Sequence, residues 1–314
     1  MKTPVLFLIF NRPQLTFRVF DEIRKAKPDK LFIAADGPRY GKEGELNKCL
    51  ESRRITELVD WPCEVKTLFR DENLGCRMAV SSAIDWFFDN VEEGIILEDD
   101  CLPGTDFFYF CQELLEKYRM NERIMHIGGN NFQNGIKRGR ASYYFSIYPH
   151  IWGWATWRRA WQHNDVEMKS FYDFKRLNKI KLIYSGEKEQ QYWLRKFSET
   201  AEGKINSWDY PWIFCIQSQN GISIIPNSNL VSNIGIGTDP THENRAEFAD
   251  IKLVGIDSIS HPENIIINRK ADKYSFDYFY NPTDLNFLQR LKKNIYPYLP
   301  EWVRNTYKSI FNTR

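Results

Sequence analysis

The sequence predicts an α/β fold, a mostly parallel sheet flanked by helices, with a mixed extension and a C-terminal helical tail. Three observations carry this reading. Short apolar runs at Val5 to Phe10, Leu31 to Ala35 and Gly94 to Leu97 are continuous rather than alternating, as expected of strands buried on both faces. Between them, apolar residues recur at helical spacing, so the first hundred residues read βαβαβαβ and imply crossover connections. Two of the runs end in carboxylates, Asp36 and Glu98-Asp99-Asp100, at the strand ends where open α/β sheets form their ligand crevice.

In chain order, Val5 to Phe10 is the first strand, and Asn11-Arg12 leads into Pro13, which suits the first turn of a helix carrying Leu15, Val19 and Ile23. Leu31 to Ala35 closes at Asp36-Gly37-Pro38, a turn with a carboxylate at its head. Leu46, Cys49, Leu50 and Leu58 suggest the next helix, and Cys63 to Leu68 a third strand that closes at Arg70 to Gly75. Met78, Ala79, Ser82, Ala83, Trp86 and Phe87 mark one face of the helix that follows. Arg70 and Arg77 flank its start, where unpaired backbone N–H groups favour an anion, and a surface ion pair is the alternative for each.

After the fourth strand and its acids, Thr105 is placed to cap a helix carrying Phe107, Phe108, Cys111, Leu114, Leu115 and Tyr118. Ile124 to Ile147 breaks into short strand-like pieces, the mixed extension. Trp152, Trp154, Trp157 and Trp161 follow. The spacing of Trp157 and Trp161 fits a packed helix face, whereas Trp152 and Trp154, astride Gly153, read as loop residues facing a ligand. Glu187 to Glu202 is a clear helix, and Ser207 to Trp212 a helix start in which Asp209 serves either as a cap or as a functional acid. Ile222 to Ile225 is the last strand, and a loop rich in Asn, Ser and Gly then runs to His242.

Composition removes some classes. Forty-three basic against 41 acidic residues leave a formal charge of +2, so no general electrostatic attraction to nucleic acid exists. No run approaches the roughly 20 apolar residues of a membrane span. The N-terminal apolar run is too short for a signal peptide, and Asn11-Arg12-Pro13 stands where a cleavage site would be. Six cysteines without CxxC or zinc-finger spacing predict reduced, mostly buried thiols in a cytoplasmic protein. Residues 281–314 carry six basic against two acidic residues among aromatics; such a tail either lies on an anionic membrane surface at its inner face or packs back on the domain.

The three consecutive acids need a reason, because adjacent carboxylates repel unless a cation or separate donors hold them. Hard divalent cations, Mg²⁺ or Mn²⁺, take one or two carboxylates plus the phosphates of a substrate. Ile96-Leu97-Glu98-Asp99-Asp100, then Asp106-Phe107-Phe108, the Gly153-Trp154 loop and Trp208-Asp209 occur in an order that resembles the GT-A glycosyltransferases. Within them the likeness is to the N-acetylglucosaminyltransferase I type (glycosyltransferase family 13) and to bacterial sugar transferases of the same layout. It covers roughly residues 3–245.

The resemblance implies that Asp36 binds the base of a nucleotide sugar, Asp99 the ribose, Asp100 the metal, and that Asp209 is the catalytic base; Glu98 is counted with the cofactor-binding residues or only shapes the turn. Asn11 and Arg12 would lie beside the nucleotide, to which the helix-start position of Arg70 and Arg77 adds two candidate anion-binding residues, and Trp152, Gly153 and Trp154 would shape the sugar or acceptor site. His242, in a loop that departs from the family pattern, is the expected third metal ligand, with a surface position as the alternative. It further implies an inverting reaction from a UDP-sugar, with UDP-N-acetylglucosamine as first choice, to a glycan or glycolipid hydroxyl. Residues 1–250 would be the transferase domain, its nucleotide half about 1–125 and its acceptor half about 126–250, and 251–314 an extension. A sugar-phosphate nucleotidyltransferase or a non-enzymatic carbohydrate-binding protein are the alternatives. The former usually carries a glycine-rich basic loop where this chain has Phe10-Asn11-Arg12-Pro13, and the latter leaves the acids unexplained.

Overall fold

The computed structural model describes residues 1–236, 248 and 251–281. The first half forms β1 (Val5–Ile9), α1 (Pro13–Ala26), β2 (Lys30–Ala35), α2 (Glu45–Arg53), β3 (Glu64–Phe69), α3 (Gly75–Asn90), β4 (Glu93–Glu98), β5 (Cys101–Pro103) and α4 (Thr105–Tyr118). Then follow β6 (Ile124–Gly128), β7 (Tyr143–Ser146), β8 (Trp154–Trp157), α5 (Arg158–Trp161), α6 (Phe171–Arg176), α7 (Ile180–Ile183), α8 (Glu187–Ala201), α9 (Asp209–Ser218), β9 (Ile222–Pro226) and β10 (Val231–Asn233). The chain divides into two units, Met1–Asp272 and Lys273–Arg314. In the second, Phe276–Tyr280 forms a π-helical turn.

The main sheet has eight strands in the order β3-β2-β1-β4-β8-β6-β9-β7. β3, β2, β1 and β4 are mutually parallel, β8 runs against both β4 and β6, β6 and β9 are parallel, and β7 closes the edge antiparallel. The expected mostly parallel sheet with a mixed extension is therefore what the chain forms. Its organisation follows from the sequence of β1. Val5, Phe7 and Ile9 point into a core with Val19, Phe20 and Ile23 of α1 and Phe107, Phe110 and Leu114 of α4. Leu6 and Leu8 point the other way, into a core with Ala83, Ile84 and Phe87 of α3 and Trp212 and Ile216 of α9. A strand apolar at every position is thus satisfied by helices on both faces.

The chain winds from β1 through β2 to β3 on one side and then crosses to β4 on the other side of β1. The loops leaving β1 and β4 therefore diverge and open a crevice at their C-terminal ends, the switch point of an open α/β sheet. Phe10 to Arg12 and Glu98 to Asp100 stand on its two sides. A second, two-stranded sheet pairs β5 with β10 antiparallel, Ser232 opposite Leu102. It folds the chain after Asn233 back over Asp100, where the Ile234 N–H donates to the Asp100 carbonyl at 2.8 Å.

Three local expectations change. Trp154 to Trp157 is a buried strand rather than a loop leading into a helix, because Thr156 and Ala155 pair with Gly94 and Ile95 of β4. α4 has Gly104, not Thr105, at its N-cap, and no side chain caps it. β5 was not expected, since three residues are too few to show a strand pattern. Among the described residues no helix is long and apolar enough to cross a membrane. His242 and residues 282–314 of the basic, aromatic tail lie outside the described residues.

Candidate active site

A cavity of about 520 Å³ lies at the C-terminal ends of β1, β2 and β4, walled on one side by the start of α3. Asn11, Arg12, Asp36, Arg70, Glu98, Asp99 and Asp100 all line it, as do Arg39, Asn73, Cys76 and Asn206, which the sequence did not single out. The switch point thus collects three of the polar strand ends into one place.

At the end of β1 the backbone turns so that the Phe10 N–H donates to Asp99 Oδ2 at 3.1 Å. Arg12 spans the acids: Nη2 lies 2.5 Å from Asp99 Oδ1 and Nη1 3.0 Å from Asp100 Oδ2. Burial disfavours this guanidinium, but Asp99, Asp100 and Glu98 outweigh the penalty and raise its pKa. The acids respond to the same balance. Burial raises Asp99 in spite of Arg12, and burial followed by repulsion from Asp100 and Asp99 raises Glu98. Burial and mutual repulsion together thus outweigh what one guanidinium relieves at Glu98 and Asp99.

Beside it, Asn11 Nδ2 donates to Glu45 Oε1 at 2.8 Å, and Arg39 donates to the same carboxylate through its backbone N–H at 2.6 Å and its guanidinium. These hydrogen bonds, the side-chain one first, hold Glu45 at about 2. Arg39 also lies 5.7 Å from the centre of the Phe10 ring. A basic residue directly after the Asp36-Gly37-Pro38 turn was the available signal for Arg39; Glu45 is on a helix and gave none.

Asp36 spends its carboxylate on the protein. It accepts from Gly37 N at 3.0 Å, Asn73 Nδ2 at 2.9 Å, Leu74 N at 3.0 Å and Gly75 N at 3.1 Å. α3 has no cap from its own sequence, so this acid, supplied from β2, satisfies the donors at its start. Arg70 lines the cavity and donates to Ser82 Oγ at 2.8 Å. Arg77 does not: its guanidinium donates to the carbonyls of Val166 and of Thr200, the latter at 2.9 Å, and it is not among the residues lining this cavity. The helix start that suggested anion binding instead ties α3 to the segment around Val166.

Asp209 is the first residue of α9, and the Ser207 hydroxyl donates to its Oδ1. Its charge reaches the cavity: it adds to the upward shift of Glu98, and, after burial and Glu98, to that of Cys76, whose thiol is pushed up to about 12. Asp209 itself is not among the residues lining the cavity, although Glu98 and Cys76, on which its charge acts, are. Trp154 helps to place Asp209. The indole is 1% exposed and stacks on Trp208 at 5.5 Å and 15° and on His126 at 5.1 Å and 20°. The expected ligand-facing role for Trp154 gives way to a core role, because β8 needs an inward residue here. His126 accepts from Trp212 Nε1 at Nδ1 (3.3 Å) and lies 3.0 Å from the His150 carbonyl at Nε2, so it is neutral; burial lowers it to about 3.

Trp152 remains partly exposed and meets Phe132 edge to face at 4.9 Å. Gly153 has φ +64°, and a Cβ there would lie 2.8 Å from Val231. Glycine is required at this point to let β10 pack, whatever else the loop does.

The donor chemistry suits a hard divalent cation. Among the described residues no three His, Cys, Asp or Glu side chains converge into a ready-made cage. Asp100, with its side chain 17% exposed on the cavity, offers carboxylate oxygen beside the Asp99 and Glu98 carboxyl groups. Mg²⁺ and Mn²⁺ are commonly held in this manner, with substrate phosphates completing the shell. The residues present fit such an ion.

No described protein family matches the sequence, and no curated protein matches it. Among solved structures, the chain is similar to apo-UDP-glucose pyrophosphorylase (TM-score 0.40, 12% identity, over 74% of this chain and 93% of that one). It is also similar to the mannosyltransferase PcManGT from Pyrobaculum calidifontis, solved with GDP-Man and Mn²⁺ (0.33, 13%, 50% and 45%), and to TarS 1-349 from S. aureus (0.34, 8%, 50% and 47%). The chain spans under half the length of the last two. This is distant likeness, and the chemistry below rests on the side chains just described.

Proposed function

We propose that this chain is a metal-dependent inverting glycosyltransferase that moves a sugar from a nucleotide-sugar donor to a hydroxyl of a glycan or glycolipid. The observation that supports it is the set of three carboxylates, Glu98, Asp99 and Asp100, lining one cavity at the switch point beside Asn11, Arg12 and Arg70. Such a set suits a reaction with a charged leaving group, and Asp209, whose charge acts on Glu98, is the acid proposed to remove the proton.

In this reading the nucleotide lies in the cavity between β1 and α3. Asp36 holds the Asn73 to Gly75 turn that walls the base, Asp99 faces the ribose, and Asn11, Arg12, Arg39 and Arg70 border the phosphates. Asp100, with His242 as a further candidate, would hold Mn²⁺ or Mg²⁺. When bound, the cation offsets charge on the leaving diphosphate as a Lewis acid. Asp209, oriented by the Ser207 hydroxyl, takes the proton from the acceptor oxygen. The bond from that oxygen to the anomeric carbon forms as the bond to the diphosphate oxygen breaks, so configuration inverts and no covalent enzyme intermediate arises. Trp152, partly exposed just before β8, would border the sugar or acceptor.

UDP-sugars, UDP-N-acetylglucosamine first, are the donors to test. A thermal-shift panel of UDP, GDP, CDP and dTDP sugars with Mn²⁺ should single out one nucleotide, and Mn²⁺-dependent release of that nucleoside diphosphate should follow. No shift with any of them, or formation of a nucleotide sugar from a sugar phosphate and a nucleoside triphosphate, would overturn the proposal.

A further inference from the structure

Arg12 already occupies, as a cation, the place that the acids hold for one. Its backbone is fixed: Pro13 opens α1, and the Arg12 carbonyl accepts from Thr16 N at 2.9 Å and Thr16 Oγ1 at 3.0 Å. The guanidinium is therefore a lever on a rigid base, and its two ion pairs are unequal. The pair with Asp99 is short, and the Asp99 side chain is 3% exposed and also held by the Phe10 N–H. The pair with Asp100 is longer, and that side chain is 17% exposed on the cavity, its Oδ1 meeting only the Cys101 thiol at 3.4 Å among the described residues. Gly235 closes over this second pair, and a Cβ there would lie 2.7 Å from Asp100 Oδ2 and 2.9 Å from Arg12 Nη1.

We propose that Arg12 is an intramolecular stand-in cation: it guards Asp100 against a divalent ion until a diphosphate arrives to receive the guanidinium arm that Asp100 releases. This rests on the proposed nucleotide-sugar site. A divalent ion alone must either displace Nη1 from Asp100 Oδ2 or settle on Oδ1 beside it, and either way a guanidinium faces another cation across a few ångströms, which is unfavourable in a partly buried site. With a diphosphate present, the released N–H donors gain an anion, while Nη2 stays on Asp99. Metal and diphosphate therefore bind with positive coupling, and by linkage each strengthens the other by the same factor. Arg12 acts here as a positioning residue.

The test is direct Mn²⁺ binding, read from loss of the free-ion EPR signal, with no nucleotide and no turnover. Wild type should bind Mn²⁺ weakly alone and roughly tenfold or more tightly with UDP or GDP, whichever shifts the protein's melting temperature. Arg12→Gln should bind Mn²⁺ alone roughly tenfold more tightly than wild type, and its coupling to the nucleotide should fall below that of wild type by the same factor, leaving the part that direct ligation of the ion by the diphosphate supplies. Arg12→Lys, whose single ammonium cannot bridge both acids, should fall between them and serves if Arg12→Gln does not fold. Mn²⁺ affinity that is unchanged or weaker in both variants without nucleotide, or no Mn²⁺ binding by any form, would overturn the inference. Failure of sugar transfer alone would count against the proposed function and leave these binding ratios as they are.

Discussion

Asp36 offers the sharpest division between holding the protein and touching a ligand. Its carboxylate accepts from Gly37 N within its own turn, and from Asn73 Nδ2, Leu74 N and Gly75 N at 2.9 to 3.1 Å across the crevice. Replacement by Ala removes the three cross-chain bonds and leaves the start of α3 without its acid. At about 1 kcal/mol for each partly solvated bond, the loss is about 3 kcal/mol. For a unit of this size that corresponds to a fall of roughly 6–12 °C in melting temperature. Urea unfolding followed by tryptophan fluorescence, with calorimetry in parallel, measures it. A loss under about 1 kcal/mol, together with abolished nucleotide binding, would show that the carboxylate serves the ligand and that the hydrogen-bond reasoning is wrong.

Two further predictions concern the core beneath the site. Trp154→Ala should cost about 3–5 kcal/mol, because the indole is buried among Trp208, Trp212, Trp161 and His126, whereas Trp152→Ala should cost clearly less and act on sugar transfer; urea midpoints in the reverse order would refute the assignment. Burial lowers His126 to about 3 from 6.5, so the unfolded chain binds a proton that the folded one does not between those values. Stability from this group is complete above pH 6.5 and is lost as pH falls towards 3, and His126→Gln should flatten the slope of unfolding free energy against pH by up to about 1.4 kcal/mol per unit in that window, an unchanged slope counting against a neutral buried imidazole.

Much of the nucleotide half was legible because its strands are buried on both faces. β1, β2 and the end of β4 show as unbroken apolar runs, and the carboxylates that stop them mark the sheet edge without any knowledge of the fold. Asp209 was legible only as one of two readings, since a carboxylate in the first turn of a helix is equally a cap. The structure makes Trp208 the N-cap residue and Asp209 the first residue of α9, its carboxylate accepting from the Ser207 hydroxyl, a local arrangement that the sequence did not distinguish from a cap. Arg70 and Arg77 looked alike in sequence, flanking one helix start, but Arg70 lines the cavity whereas Arg77 donates to the carbonyls of Val166 and Thr200, which belong to distant segments. Trp154 misled because a glycine and a run of indoles resemble a binding loop; strand pairing with β4 turns that residue inward. Asp36 was correctly placed at the crevice, but the N–H groups that claim it come from a turn nearly forty residues on.

The central claim is that Asp209 removes the acceptor proton while the β1 and β4 side of the crevice holds the nucleotide. Asp209→Asn, assayed for sugar transfer and, separately, for nucleotide affinity with Mn²⁺, tests it most directly. Transfer should fall by roughly 10²–10⁴-fold with nucleotide affinity changed by no more than about twofold. Wild-type turnover in that variant, or a loss confined to nucleotide binding, would contradict the account.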